Sequence, residues 1–390
     1  MTPPAEEKRE FIHRLEALRG VAAMMVALGH CAATFQPGQG QQWFHDALIT
    51  VFNGRAAVTI FFVLSGFVLG LSLRRSRQAF VRGYFEFVWR RFFRIYPALA
   101  VSSLAILGFL CCVPWDFGAR SVATTPWFQA IYSTAPGWRE LWRNLLLQDF
   151  SINQVTWSLK VELVGSALLP LMHVLSQKMA WRGRAVFMAC WLALAWIVRA
   201  RGGSLFFTFM FYLGYLLPDV GPTLMGWLNR RRAASATVLV ATTLCLLARW
   251  QYNWPFESGL VEGFSATVLI AGILYGPELR VYRLLDTCLA RFYGRISYSF
   301  YLLHFCVMYG TAAALAWLAP EELLRPYAMA WSFVLAVVSV AIATPLSWAS
   351  YQWVERPGIE LGRLKSKRAM SRHLVNLSGG NPSATRDSSV

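Results

Sequence analysis

The chain of 390 residues is 56% hydrophobic and only 15% charged, with a mean hydropathy of +0.42. A soluble domain carries about 25% charged residues, so the composition excludes an ordinary soluble protein and indicates an integral membrane protein. The net charge of +17 would suit a nucleic-acid-binding protein, but most Lys and Arg residues fall in alternate loops. This is the pattern of cytoplasmic loops in membrane proteins, and it argues against nucleic acid as a partner.

Apolar stretches long enough to cross about 30 Å of hydrocarbon recur along the chain. They predict an all-α, polytopic integral membrane protein with about ten transmembrane helices and both termini in the cytoplasm. The predicted spans cover residues 15–36, 56–73, 97–113, 158–177, 185–199, 204–218, 235–249, 260–276, 294–317 and 328–350. The fifth and sixth are short, and one broken hairpin is an alternative. We expect residues 1–365 to form the membrane domain and the polar residues 366–390 to form a disordered cytoplasmic tail.

The first span contains Arg19 and His30, eleven positions apart. At about 100° per residue they lie on the same helix face, and at 1.5 Å per residue they are about 16 Å apart along the axis. Ionisable groups at membrane depth usually line a substrate path. A histidine can accept a proton from a hydroxyl and return it, and an arginine suits phosphate or a developing oxyanion. The alternative is a packing histidine and an arginine that extends to the interface.

Two further motifs surround the second and third spans. Ser65 and Gly66 lie within an aromatic and aliphatic helix, where they offer a hydroxyl and close backbone approach, or only small-residue helix packing. Arg90, Arg91 and Arg94 alternate with aromatic residues just before the third span. We expect Arg90 and Arg94 to share a face. This basic segment is either a cytoplasmic anchor or a cradle for a polyphosphate.

The outer segment 114–156 is rich in Trp, Phe and Tyr, which favour the membrane interface, and we expect it to lie along the outer surface as a lid or vestibule. Glu162 follows Trp157 at the start of the fourth span. A carboxylate entering a membrane helix must be paired or functional. The local structural alternative is a contact with Ser158 or pairing with Lys160.

Two polar motifs lie in or just after the last two predicted spans. Ser297, Tyr301 and His304 fall at i, i+4 and i+7 on one helix face, and Glu355 lies in a Glu-Arg-Pro triplet after the last span. Both motifs are also compatible with polar contacts between helices. The seven cysteines contain no C-x-x-C pair or metal-like cluster and fit small core residues, so we expect no metal.

In this order the six motifs resemble the membrane acyltransferase-3 family of bacterial O-acyltransferases that act on glycans. The resemblance covers about residues 11–363. It rests on R-(ten residues)-H, FF-x-L-S-G-F, R-x-x-R-I-x-P, W-S-L-x-x-E, S-Y-x-x-Y-L-x-H and E-R-P. The chain departs from the family pattern in having Thr59 where a carboxylate is common and Leu163-Val164-Gly165-Ser166 where a second Glu and an aromatic pair are common.

The resemblance implies an acyl-CoA donor on the cytoplasmic side and transfer to a hydroxyl. With the motifs above, it assigns the expected roles in three groups. The catalytic group is His30 as general base, Arg19 as its partner and Glu162, for which a water is the alternative, as the group that orients the imidazole. The donor-binding group is Arg90, Arg91, Arg94 and Ser65. The acceptor-binding group is Trp157, Tyr301 and His304. Direct transfer and an acyl-histidine intermediate both remain open.

The sequence therefore predicts a multi-pass O-acyltransferase of the bacterial inner membrane. It would move an acetyl group from acetyl-CoA to a hydroxyl of a cell-surface or exported glycan, such as a polysaccharide or lipopolysaccharide. The expected partners are acyl-CoA, the glycan and membrane lipids. The alternative is a transporter or flippase that uses the same buried charges to pass a glycan or lipid-linked solute. Helices broken midway by Gly or Pro would favour that alternative.

Overall fold

The computed structural model describes residues 5–76, 80–112, 123–132, 137–198, 204–230, 232–248, 255–319 and 321–364. The predicted tail, 366–390, and parts of the outer segment lie outside these residues. Within the described residues the secondary structure is helical and contains no β-strand, only an isolated bridge between Phe35 and Thr124. The prediction of an all-α fold is confirmed.

Fourteen α-helices make up the described chain. They are α1 (Ala5–Ala32), α2 (Gln42–Val51), α3 (Gly54–Arg75), α4 (Phe80–Cys112), α5 (Pro126–Gln129), α6 (Trp138–Leu145), α7 (Trp157–Gln177), α8 (Trp181–Val198), α9 (Thr208–Leu228), α10 (Arg232–Leu247), α11 (Pro255–Tyr275), α12 (Cys288–Leu318), α13 (Glu321–Leu324) and α14 (Ala328–Ser350). Short 3₁₀ turns cover Gln154–Thr156, Ser204–Phe207 and Arg280–Asp286, and a π-turn covers Tyr351–Glu355.

Nine helical segments of the described chain are long and apolar enough to cross a membrane. The seventh predicted span, 235–249, corresponds to the shorter apolar segment Ala236–Leu247 in α10. The fifth and sixth predicted spans are two separate segments, Trp181–Val198 and Ser204–Leu228. The prediction of a polytopic membrane protein with about ten transmembrane helices is therefore confirmed.

The third and last spans are longer than predicted. α4 begins at Phe80 and continues through Pro97, so the arginine motif lies inside the helix and not before it. Pro97 lies inside the helix and, having no N–H, cannot donate the usual helical hydrogen bond to the residue one turn earlier. The chain after α14 packs there, since a Cβ atom on Gly358 would lie 2.7 Å from the Phe93 oxygen. The last span runs on through the π-turn to Leu364.

The helices α3 and α9 form a parallel pair in close contact. A Cβ atom on Gly66 would lie 2.0 Å from the Phe211 carbonyl oxygen. Further along the same two helices, Arg74 donates to the two carboxylate oxygens of Asp219 at 2.6 and 2.8 Å. The Arg74–Asp219 pair lies at the end of the bundle that also contains Arg14.

The described parts of the outer segment extend deeper than predicted. The Asn144 side chain accepts from Ser103 on α4 at 2.9 Å and donates to Thr156 at 3.0 Å. The Asn153 amide donates to the Leu302 carbonyl in the middle of α12 at 2.9 Å. The segment therefore enters the helical bundle and places the start of α7 at the level of Leu302.

Candidate active site

The helices α1 and α12 touch backbone to backbone at Gly20 and Gly294. A Cβ atom on Gly20 would lie 2.5 Å from the Gly294 nitrogen, and one on Gly294 would lie 2.4 Å from the Glu16 carbonyl oxygen. Ten residues beyond these glycines are His30 and His304, whose Nδ1 and Nε2 atoms are 3.1 Å apart. In both contacts the residue on α12 is 274 positions after its partner on α1. Because this difference in residue number is constant, the two helices run parallel. Their glycine contact sets the spacing of the two imidazoles, which we call the histidine pair.

The hydrogen bonds of the histidine pair assign the proton positions in its neutral form. The Nδ1 of His304 lies 3.2 Å from the Phe300 carbonyl oxygen, which can only accept, so this nitrogen carries the hydrogen. The Nε2 of His304 is then an acceptor and takes the Nδ1 hydrogen of His30. This leaves the lone pair of His30 on Nε2, where it can accept a proton.

Aromatic rings hold His30 in place. The Trp127 indole stacks on it with centroids 5.5 Å apart, and Phe305 meets it edge to face at 5.3 Å. His304 is only 2% exposed, whereas His30 keeps part of its surface accessible. His304 is therefore the enclosed member of the pair, and His30 is the member that a substrate can reach.

An ion pair joins α3, α4 and α7 deeper in the bundle. Arg91 donates to a carboxylate oxygen of Glu162 at 2.6 Å and to the Ser166 hydroxyl at 2.9 and 3.2 Å. The Ser65 hydroxyl donates to the same Glu162 oxygen at 3.4 Å. Buried ion pairs need such additional hydrogen bonds to offset the loss of hydration. Arg91 and Glu162 thus neutralise each other and tie three helices together.

Arg19 and Arg94 lie within electrostatic range of this ion pair, and Glu355 lies within range of both of these arginines. The carboxylate of Glu355 is 4% exposed and accepts from Ser299 at 2.8 Å. In the described part of the chain, neither Arg19 nor Arg94 has a hydrogen-bond or ion-pair partner. The guanidinium of Arg19 lies 6.0 Å above the Phe61 ring. Two interior guanidinium groups are therefore available to an anion.

Together these residues form one charge cluster. Its members are Arg19, Arg91, Arg94, Glu162 and Glu355. With all five ionised it has a surplus of one positive charge. Along α1 the cluster and the histidine pair are separated by about 16 Å. The interior thus offers unpaired guanidinium groups at one depth and a histidine nitrogen with a free lone pair at another, among the described residues.

The comparison with known families agrees with this arrangement. The acyltransferase domain of the acyltransferase-3 family matches residues 12–351, which include the histidine pair, Arg19, the arginine motif of α4 and Glu162. The chain belongs to this family. It is a membrane acyltransferase, and the family predicted from the six motifs is confirmed. No curated protein and no solved structure matches the chain.

From the sequence we expected Glu162 to orient the imidazole of His30. In the structure Glu162 does not contact His30. The orienting position at Nδ1 is taken by His304. Glu162 instead pairs with Arg91 on α4, and the local alternatives were also wrong. The Ser158 hydroxyl donates to the Val155 carbonyl at 3.0 Å.

The three arginines of α4 that we expected to bind the donor lie in different surroundings. Arg90 points outward from α4 and forms an ion pair with Glu86 one turn earlier, with 51% of its side chain exposed. Arg91 is the buried residue of the motif, at 8% exposure. The rotation of α4 against α7 decides this, and it places Arg91 and Arg94 inside.

The three predicted acceptor-binding residues occupy different surroundings. Trp157 packs against Phe62 and Phe207 at the start of α7. The Tyr301 hydroxyl lies 2.9 Å from the Ser158 hydroxyl and donates to the Val155 carbonyl at 3.2 Å, so it fastens α12 to α7. His304, which we expected to bind the acceptor, is instead the partner of His30.

Sequence reasoning missed three contributors to the acyltransferase site. Glu355 was recognised only as a motif residue, and Ser166 was noted only as a departure from the family pattern. Ser166 lies one turn after Glu162, a spacing that could have indicated shared contacts. Trp127 was one of several aromatic residues in the outer segment, and nothing in its spacing marks it as the residue that stacks on His30.

Proposed function

We propose that this acyltransferase moves an acetyl group from acetyl-CoA to a hydroxyl of a cell-surface or exported glycan. The observation that carries the proposal is the histidine pair. It leaves Nε2 of an accessible histidine free to accept a proton, at a fixed distance from two guanidinium groups that have no partner in the described part of the chain.

The charge cluster supports a phosphorylated donor. Arg19 and Arg94 are suited to the phosphates of CoA, because guanidinium groups bind phosphate oxygens in pairs of hydrogen bonds. An extended chain covers about 1.1–1.2 Å per bond, so the roughly thirteen bonds between the phosphorus and the sulfur of a phosphopantetheine arm span about 14–16 Å. This length matches the separation of about 16 Å between Arg19 and His30. A donor held by its phosphates at Arg19 would bring its thioester to His30.

The reaction then proceeds by proton transfer and direct acyl transfer. Nε2 of His30 takes the proton of the acceptor hydroxyl while its oxygen attacks the thioester carbonyl carbon. The tetrahedral intermediate collapses, the carbon–sulfur bond breaks, and the CoA thiolate receives the proton from His30. General base catalysis of this kind contributes about 10²–10⁴-fold to the rate. His304 would hold His30 in the required tautomer throughout.

The two substrates would approach from opposite sides of the bacterial inner membrane. The basic residues at the start of α1 and at the ends of α3 and α9 support a cytoplasmic location for this end of the bundle, and the proposed donor-binding arginines would then face the cytoplasm. His30 lies only two residues before the end of α1 at Ala32, toward the opposite side, where an exported glycan is present. Reporter fusions at Gln39 and Arg75 test this topology, and they should report opposite sides of the membrane.

The decisive experiment compares two histidines on α1. Membranes containing His30→Ala or His13→Ala are given labelled acetyl-CoA, and acetyl transfer to added glycans is measured. His13 is a matched control because it lies on the same helix with 46% of its side chain exposed. We expect His30→Ala to abolish transfer and His13→Ala to retain it. Normal transfer by abundant, inserted His30→Ala protein would refute the proposal.

A further inference from the structure

The Trp127 side chain lies directly over the reactive histidine. Its indole stacks on the His30 imidazole at 5.5 Å and 24° between planes, and it meets Phe305 edge to face at 6.2 Å. A near-parallel pair at this distance is offset, so part of the indole extends beyond the imidazole. The side chain is 39% exposed, and its N–H has no hydrogen-bond partner in the described part of the chain.

The backbone fixes Trp127 in this position. The Gln36 N–H donates to the Ala123 carbonyl and the Thr125 N–H to the Thr34 carbonyl, both at 2.9 Å. The Thr125 hydroxyl adds a bond of 2.6 Å to the Ala33 carbonyl. These bonds fasten the residues before Trp127 to the end of α1, just after His30.

Phe128, the residue after Trp127, attaches this segment to α12. Phe128 is fully buried and stacks on Tyr309 of α12 with centroids 5.1 Å apart. Trp127 is therefore a half-exposed aromatic that directly precedes a fully buried one, held beside His30 by contacts to both α1 and α12. Packing alone does not require a large side chain with a free N–H at this point.

We infer that Trp127 forms the wall on which the sugar ring of the acceptor binds. This inference rests on the proposed function. The donor approaches His30 from Arg19, so the side of His30 covered by Trp127 is left for the acceptor. The apolar C–H groups of a pyranose pack against the part of the indole that extends beyond the imidazole. The indole N–H donates to a sugar oxygen, and the neighbouring hydroxyl reaches Nε2 of His30.

The test compares Trp127→Ala, Trp127→Phe and the control Trp138→Ala, which removes a 69% exposed tryptophan of the same outer segment. Transfer from labelled acetyl-CoA to membrane glycans is measured over a range of glycan and of acetyl-CoA concentrations. We expect Trp127→Ala to raise the apparent KM for glycan by about tenfold or more, as for loss of a central aromatic contact. The KM for acetyl-CoA and the thermal stabilisation by CoA should stay near the wild-type values, Trp127→Phe should recover most of the loss, and Trp138→Ala should behave as wild type.

Two results would overturn the inference. In one, Trp127→Ala leaves the KM for glycan unchanged. In the other, it lowers kcat alone at every glycan concentration, which would make Trp127 only a support for His30. Failure of the proposed function is distinguishable from these results. In that case the His30→Ala variant would retain acetyl transfer, independently of the KM values of the Trp127 variants.

Discussion

His30 and His304 occupy equivalent positions on two parallel helices, each ten residues beyond the glycine at which the backbones meet. His304 therefore accepts the Nδ1 hydrogen of His30, as a carboxylate accepts the hydrogen of the histidine in many catalytic triads. It fixes the tautomer, but it adds no negative charge. The buried environment of α12 explains this choice, because an additional unpaired carboxylate at this depth would be costly.

Replacing His304 tests its role as a positioning residue. His304→Phe removes the acceptor for the Nδ1 hydrogen of His30, and we expect kcat to fall by about 10²-fold or more, as when an orienting group is lost from a catalytic triad. His304→Gln keeps a hydrogen-bond acceptor and should recover part of the rate. The KM for acetyl-CoA should change little in both variants. Equal loss in the Phe and Gln variants would contradict the tautomer assignment.

Gly294 controls the spacing of the histidine pair. A Cβ atom there would lie 2.4 Å from the Glu16 carbonyl oxygen, so Gly294→Ala must push α12 away from α1. Overpacking of this kind costs about 1–3 kcal/mol, and we expect a lower melting temperature together with a lower kcat. Gly108→Ala on α4 is the control, because its Cβ atom would meet nothing within 4 Å. The two variants are compared by thermal unfolding in detergent and by transfer assay.

The sequence predicted the site along a helix better than between helices. Periodicity placed Arg19 and His30 on one face, because both belong to one helix whose geometry is fixed. It failed for Glu162, whose partner Arg91 comes from another helix. Spacing on α4 predicted that Arg90 and Arg94 share a face, but packing against α7 decides that Arg91 is the buried arginine. Tertiary contacts such as the stacking of Trp127 on His30 have no signal in local spacing.

Comparing variants of Arg94 and Arg90 distinguishes a loss of donor binding from a general loss of positive charge on α4. We expect Arg94→Ala to raise the KM for acetyl-CoA by about tenfold or more, since a charged hydrogen bond to phosphate contributes about 1.5–3 kcal/mol. Arg90→Ala removes an exposed arginine one turn away, paired with Glu86, and should leave this KM near the wild-type value. The measurement is initial rate against acetyl-CoA concentration. A larger effect from Arg90 than from Arg94 would contradict the assignment of donor binding to Arg94.

The contact between Arg14 and Asp286 predicts a pH dependence of stability. Hydrogen bonds from the Arg14 guanidinium lower the pKa of the Asp286 carboxyl below its ordinary value of 3.8. A lowered carboxyl pKa stabilises the folded state above pH 3.8, and the contribution is lost as the pH falls further. We expect Asp286→Asn to lower the melting temperature at neutral pH and to reduce its fall below about pH 4. An unchanged acid slope in this variant would assign the loss to other carboxylates.

The ion pair between Glu162 and Arg91 is expected to stabilise the fold and not to transfer protons. Glu162→Gln leaves the buried Arg91 guanidinium without a compensating charge, a change that costs about 3–5 kcal/mol for a buried pair. The double variant Glu162→Gln/Arg91→Met removes both charges and should unfold at a higher temperature than Glu162→Gln alone. If Glu162 acted as a catalytic base, the double variant would regain stability without regaining any activity. Recovery of both in parallel, measured by thermal unfolding and acetyl transfer, would establish the structural role.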